Sequence, residues 1–325
     1  MRQSTAERDY HYLKVLISII TPTFQAGSTL RETLESVRPQ YGGDTEHLLL
    51  DAASTDETLE IAKGYPHLIV KSEKDRGIYD GMNKGASLAT GEWLLFLQGD
   101  DWLPAGTLDF YRRAIASHPE AEILCGDCEA VRERIEEWTP VWSVKDRDLK
   151  KLTVQNIALG EPMINARLIR RDVFLKLGGF SLNYSFASDR DFLLRCAEMQ
   201  VLQVEIPVMT YRYRWHAGSS TMTEGNRFTE KLSQENLEIA KAHLKQATAT
   251  NNSVFLKWHD KLTVQAGMNA LENFRAGLLL KAMRSGVSQN PLWIFYFLAE
   301  ITRSLPGFIS RGGKTRSAII NKSGS

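Results

Sequence analysis

Cysteine, net charge and long apolar runs are all scarce in this chain, and each scarcity excludes something. Three cysteines in 325 residues, Cys125, Cys128 and Cys196, are too few for a disulfide scaffold and suit a reducing compartment. The formal net charge is +1, from 40 Lys and Arg against 39 Asp and Glu, which argues against a dedicated nucleic-acid binder. The most conspicuous apolar run, Pro291 to Leu298, falls far short of the roughly 20 residues that span a bilayer. The start, Met1 to Lys14, is polar and mixed in charge and does not read as a secretory signal, so a cytoplasmic location is expected. No G-x-G-x-x-G follows the first apolar strand, which leaves a dinucleotide site poorly supported. No G-x-x-x-x-G-K-[ST] occurs either, which removes the P-loop reading.

What is present is a globular composition, 43% hydrophobic, on a chain long enough for one large domain or two joined ones. Charge is distributed unevenly. Met1 to Thr250 carries 30 basic and 36 acidic side chains, whereas Asn251 to Ser325 carries 10 and 3. That basic segment also holds the aromatic run at 291–298, followed by Arg303, Arg311, Lys314 and Arg316. It reads either as a helix at an anionic membrane surface or as a helix packed on the main domain with a basic tail.

Apolar runs and helical spacings alternate through the first half. Strands are expected at Val15 to Ile20, His47 to Leu50, Leu68 to Val70, Trp93 to Leu97 and Glu122 to Cys125. Helices are expected between them, over Ser28 to Val37, Ser54 to Lys63, Tyr79 to Ala89 and Leu108 to Ser117. Uninterrupted apolar strands alternating with helices predict an α/β fold whose mostly parallel central sheet is covered on both faces. Beyond it, helices are expected over Arg171 to Leu177, Ser188 to Ala197, Leu232 to Leu244 and Leu271 to Met283, with a strand over Glu205 to Arg214.

Polar residues gather where the strands end, which is where such sheets bind ligands. Thr21, Thr23, Asp51, Asp100 and Asp101 all fall there. Asp100 and Asp101 can hold a hard divalent cation, Mn2+ or Mg2+, against a nucleotide diphosphate, or can simply cap a turn. Asp189, at a helix start, can take a proton from an attacking hydroxyl, and the helix dipole is expected to favour its ionised form. Asp191 can cap the same helix or bind an acceptor. In the polar run Asp75 to Gly85, Arg76 and Lys84 can meet nucleotide charge and Asn83 can hydrogen-bond it. His216 can bind a metal or phosphate. Cys125 and Cys128 have C-x-x-C spacing but lie in an expected extended segment, so buried free thiols are the expectation.

Five linked stretches then carry a resemblance. Ile19 to Phe24, Leu50 to Glu57, Ser72 to Gly85, Gly91 to Asp101, and Gly178 to Phe180 with Ser188 to Arg195 resemble, in order, the family 2 glycosyltransferases of bacterial surface-polysaccharide assembly. The resemblance implies a GT-A fold and inverting transfer of a hexose or N-acetylhexosamine from a nucleotide-sugar, UDP before GDP. The acceptor implied is a glycan or a polyprenyl-diphosphate-linked sugar. Thr21, Asp51 and Arg76 would contact the nucleotide, and Asp100 would be the metal residue of the family's D-x-D. Asp189 would be the general base, and His216 would lie on the loop closing over the diphosphate. Three departures stand out: Gln98 at the first D-x-D position, Ser188 before the base, and Ile164-Asn165 where relatives often have His-Gln. Gln98 would thereby weaken a ribose or metal contact, which Asp101 would share.

The expected organisation is a nucleotide-sugar-binding and catalytic domain over 1–220, with a donor half at about 15–128 and an acceptor half at about 129–220. A helical, basic extension over 221–325 would follow, with peripheral attachment to the inner membrane face as one role. Trp138, Trp142, Trp215 and Tyr184 are candidate sugar platforms. A non-catalytic nucleotide-sugar-binding protein and a nucleotidyltransferase are the rival readings. The second should show a basic, Gly-rich loop after the first strand, and Thr21 to Gly27 has no basic residue.

Overall fold

A computed structural model describes residues 16–134, 137–160, 164–216, 226–272 and 275–303. Contacts divide the chain into two compact units that meet in sequence at Phe228 and Thr229. The boundary expected at 220 lies outside the described residues, as do Arg311, Lys314 and Arg316.

The first unit opens with β1 (Ile17–Thr23), α1 (Leu30–Val37), β2 (Thr45–Asp51), α2 (Thr58–Lys63), β3 (Leu68–Ser72), α3 (Ile78–Leu88), β4 (Trp93–Phe96) and α4 (Thr107–Ser117). It continues with β5 (Ile123–Arg134), β6 (Glu137–Val144), α5 (Arg147–Lys150), α6 (Val154–Leu159), β7 (Arg167–Arg170), α7 (Arg171–Lys176), α8 (Ser188–Glu198) and β8 (Gln203–Arg214). One eight-stranded sheet runs β3-β2-β1-β4-β7-β5-β6, with β8 also paired to β5.

The first four strands are mutually parallel. Every residue of β1, β2 and β4 is buried, as the unbroken apolar runs require of strands covered on both faces. β7 is antiparallel to β4 and β5, and β6 is antiparallel to β5, while β8 returns parallel to β5. The sheet is thus parallel on the β1 side and mixed on the β5 side. Cys125 and Cys128 lie within β5 as buried free thiols, as expected.

Close packing holds α3 on β1. A Cβ on Gly85 would stand 2.5 Å from Ile20 Cγ2, so only glycine admits the approach. Phe96, Phe174, Phe180 and Phe192 form a cluster with ring centroids 5.0 to 5.4 Å apart, joining β4, α7 and α8. Arg195 of α8 donates to the carbonyls of Leu177 and Gly179, anchoring that helix to the Gly178-Gly179 turn.

The second unit contains α9 (Asn226–Gln246), α10 (Ala249–Glu272) and α11 (Ala276–Gln289), then a helix over 293–303, here α12. The single helix expected over Leu271 to Met283 is corrected: α10 ends at Glu272 and α11 begins at Ala276. Met268, Trp293 and Phe297 form its buried apolar cluster, and Trp293 Nε1 donates to Thr263 Oγ1 at 2.8 Å. No described helix is long and apolar enough to cross a membrane.

Candidate active site

Strand register builds the first wall of the site. Thr23 pairs with Asp51 and Asp51 with Ser72 across β1, β2 and β3, so three polar side chains end level with one another. Asp51 Oδ1 accepts from Thr23 Oγ1 at 3.3 Å, and Oδ2 accepts from Ser72 Oγ at 2.6 Å and the Ser54 amide at 3.0 Å. The carboxylate is therefore fixed in direction before any ligand arrives. Gln25 and Ala53, just past the ends of β1 and β2, have φ of 51° and 57°. Left-handed backbone at non-glycine residues is costly and concentrates at ligand sites.

Thr21 does not belong to this wall. Its side chain is fully buried and its hydroxyl meets His47 Nε2 at 2.8 Å, inside the sheet layer. Burial holds the His47 ring neutral, its pKa lowered to about 3. The Thr21 side chain is thus taken up by an internal hydrogen bond, and a nucleotide contact at this residue is left to its backbone.

The turn after β4 divides its two carboxylates. Asp101 is buried, with Oδ2 accepting from Tyr211 Oη at 2.7 Å and Oδ1 from the Arg214 amide at 2.9 Å. Burial, and then the neighbouring Asp100 charge, push its pKa well above the usual carboxylate range. With both oxygens engaged, Asp101 fits an internal brace rather than the metal ligand expected of it. Asp100 is only partly covered, and His216 Nε2 stands 3.1 Å from its Oδ2. Arg214 Nε donates to the Asp100 carbonyl at 2.8 Å, and its guanidinium also pairs with Glu32. The same guanidinium lies 5.0 Å from the Trp102 ring and 4.9 Å from the Trp138 ring. The Gln98 amide donates to Tyr211 Oη at 3.1 Å, so its backbone joins the network that holds the turn.

Among the described residues no group of three or more His, Cys, Asp or Glu is placed to hold a metal ion. That donor set does not match an all-protein cation cage. It suits a hard cation bound through one carboxylate, Asp100, with substrate phosphates completing the shell.

Asp189 is the second residue of α8 and half-buried. Tyr79 Oη lies 3.1 Å from both Asp189 Oδ1 and the Phe186 carbonyl, sharing one proton between them. The Arg190 amide also donates to Asp189 Oδ1 at 2.8 Å. Both contacts fall on Oδ1. The ionised form expected from the helix start is opposed by burial, which raises the pKa despite the Arg190 and Tyr79 bonds that lower it. The Tyr213 hydroxyl is raised by burial, then by Cys128, Asp101 and Asp189, so both carboxylates bear on one side chain.

Other expected contacts resolve differently. Asn83 donates through Nδ2 to the Phe180 carbonyl at 2.8 Å and accepts from the Phe180 amide at 2.9 Å. It is a clamp on the Gly-Gly-Phe turn, where Gly179 has φ of 64°, and its amide is not offered to a nucleotide. Lys84 pairs with Glu73 at 2.7 Å and lies 3.6 Å from Asp80. Arg76 is mostly exposed, with Asp80 at 3.5 Å, and can swing to a ligand. Asp191 pairs with Arg195 at 2.9 Å, which favours its structural role. Trp142 packs against Tyr213 at the core, and Arg132 covers Trp215 at 4.9 Å. Sequence reasoning assigned no role to Tyr79, Tyr211 or Arg214. Tyr79 lies within the Ser72–Gly85 stretch, but its partner is 110 residues away, as Asp101 is from Tyr211.

Comparison with known proteins places this arrangement. Residues 18–178 match the profile of Glycosyl transferase family 2. The chain is 34% identical over 224 residues to a PGL/p-HBAD biosynthesis glycosyltransferase of Mycobacterium tuberculosis, covering 67% of this chain and 84% of the relative. In fold it is similar to Staphylococcus aureus TarS 1–349 in complex with UDP-GlcNAc, with a TM-score of 0.58, 17% identity, and coverage of 89% of this chain and 92% of that one. It is also similar to the mannosyltransferase PcManGT of Pyrobaculum calidifontis in complex with GDP-Man and Mn2+, with a TM-score of 0.54, 18% identity, and coverage of 89% and 86%. The mixed sheet flanked by helices is the GT-A architecture, and the chain belongs to glycosyltransferase family 2.

Proposed function

We propose that the protein is an inverting glycosyltransferase that moves a hexose or N-acetylhexosamine from a UDP-sugar to a hydroxyl of a glycan or polyprenyl-diphosphate-linked acceptor. The observation that carries this reading is the placement of three differently held carboxylates at element ends and turns of the first unit: Asp51 fixed at the β2 end, Asp100 partly open after β4, and Asp189 half-buried at the start of α8. That placement supports a donor half at about 15–128 and an acceptor half at about 129–220. The TarS complex with UDP-GlcNAc supports a UDP donor, and the PcManGT complex supports Mn2+.

Asp51 and Thr23 orient the nucleoside, and Arg76 swings onto its phosphates. Asp100 would hold Mn2+ or Mg2+, which would supply neutralisation of the charge on the diphosphate. His216 sits beside Asp100, where it can donate to a phosphate oxygen. Asp189, with Oδ1 held by Tyr79 and Arg190, presents Oδ2 to the acceptor hydroxyl. It takes the proton as the acceptor oxygen bonds to the anomeric carbon from the face opposite the leaving group. The bond from that carbon to the diphosphate oxygen breaks in the same displacement, UDP departs, and the configuration inverts. The raised pKa of Asp189 brings it nearer the working range of a general base. The reaction is assigned to the cytoplasm or the inner face of the membrane, in surface-polysaccharide assembly.

A screen of UDP- and GDP-sugars with Mn2+ or Mg2+, reading free nucleotide diphosphate, tests the donor. Slow release from one UDP-sugar, abolished in Asp100→Asn, is the expected result. Absence of both release and calorimetric donor binding across the set overturns the proposal.

A further inference from the structure

The second unit carries a feature that donor chemistry does not use. Along α12, Trp293 and Phe297 point inward, their rings stacked with centroids 4.9 Å apart. A Cβ on Gly286 would stand 2.4 Å from the Trp293 ring, so α11 meets that indole through a bare glycine. The helix is thus fixed in rotation about its own axis, and its other side is fixed too. Phe295, Tyr296 and Ala299 lie on one face of the helix, with Leu292 in the turn just before it, and all are exposed. Phe295 is 65% exposed, Leu292 58% and Tyr296 54%. Arg303 extends the same stripe. A helix apolar on both sides, with aromatics on the outer one, needs a partner for that outer side.

Charge identifies the partner. Over 275–303, Arg275, Lys281, Arg284 and Arg303 outnumber Glu300; Arg275 pairs with Glu230 and Arg303 with Glu300, while Lys281 and Arg284 stand exposed. The sequence over 304–325 adds Arg311, Lys314, Arg316 and Lys322 with no acidic residue. We infer that the outer face of α12 docks the protein on an anionic lipid bilayer, with Leu292, Phe295 and Tyr296 entering the interface and the exposed cations of α11 and α12 facing the headgroups. An aromatic, apolar stripe flanked by cations is the chemistry of an interfacial helix rather than a spanning one. No described helix can cross the bilayer, so attachment is reversible and dependent on salt. The inference deepens the reading of a lipid-linked acceptor, but its test does not depend on that reading.

The test is flotation of the full chain with vesicles of phosphatidylcholine, alone or mixed with phosphatidylglycerol, beside the double variant Phe295→Ser, Tyr296→Ser. Both residues are exposed, so matched thermal melts are expected of parent and variant. The parent should float with the phosphatidylglycerol vesicles, more at low salt. The variant should bind on the order of tenfold more weakly, with donor hydrolysis unchanged. Failure of the parent to float with either vesicle, or equal flotation of parent and variant, overturns the inference. So does a parent dimer in light scattering that the double variant turns into monomer, because the face then belongs to a second copy. Donor hydrolysis read in the same samples separates failure of this inference from failure of the proposed reaction.

Discussion

At the turn after β4, two neighbouring carboxylates are separated by burial; at the start of α8, one carboxylate is held half-buried. Asp101 is enclosed by Tyr211 and Arg214, which leaves Asp100 partly open beside His216. Asp189 instead has one oxygen braced by Tyr79 and Arg190. A carboxylate kept partly open in a polar turn remains available to a cation. One that is half-desolvated holds a proton more readily and so suits proton transfer. The proposed reaction thus draws two roles for one residue type from different surroundings, and substitutions at each region should have different signatures.

The largest effect should come from Asp189→Asn. Loss of the general base lowers transfer by about 10²- to 10⁴-fold while donor affinity stays unchanged, read by product formation beside donor titration. Asp100→Asn follows, with loss of metal-stimulated donor release on the order of 10²-fold. An unaltered metal response in that variant would shift the cation to another residue.

Two further substitutions sharpen the contrast between brace and contact. Tyr211→Phe strips partners from Asp101, Gln98 and Asn165 together, and should lower stability to denaturant by about 1 to 3 kcal/mol. Its rate loss should appear chiefly in the donor KM, because the β4 turn loosens while Asp189 is untouched. Asn83→Ala removes both hydrogen bonds to Phe180, with a cost of about 1 to 3 kcal/mol and little change in donor affinity; a large KM effect would restore Asn83 as a donor contact.

The smallest expected effect is a shift in pH dependence from Tyr79→Phe. Asp189 works as a base only when ionised, so the rate should rise with pH along a limb set by its pKa. Burial places that limb above the ordinary carboxylate value, and the Tyr79 hydrogen bond pulls it down. Removing the hydroxyl should move the limb to higher pH, with the rates of parent and variant converging above it. A uniform loss at every pH would mean that Tyr79 acts only through packing.

The parallel half of the sheet was legible because β1, β2 and β4 carry short apolar runs closed by polar turns, with Thr23 and Asp51 ending β1 and β2 and Asp100 in the turn after β4. The mixed half was harder to read. β6 is a separate strand that alternates polar and apolar residues, and β5 bulges at Ala130 and Val131 to pair with it. α10 carries polar and apolar residues around its whole circumference, so its period was not visible. Within the site, Asp51, Asp100 and Asp189 stood out as carboxylates at element ends. The burial of Thr21 on His47, the clamp made by Asn83 and the brace around Asp101 depend on partners distant in sequence, which local spacing does not encode.

Calorimetric titration of one UDP-sugar with Mn2+ into the parent, Asp100→Asn and Asp189→Asn tests the central claim most directly. The division of labour between the two acidic regions predicts weakened, metal-insensitive binding for Asp100→Asn and parent-like binding for Asp189→Asn. Equal loss of donor binding in both variants, or in neither, would contradict it.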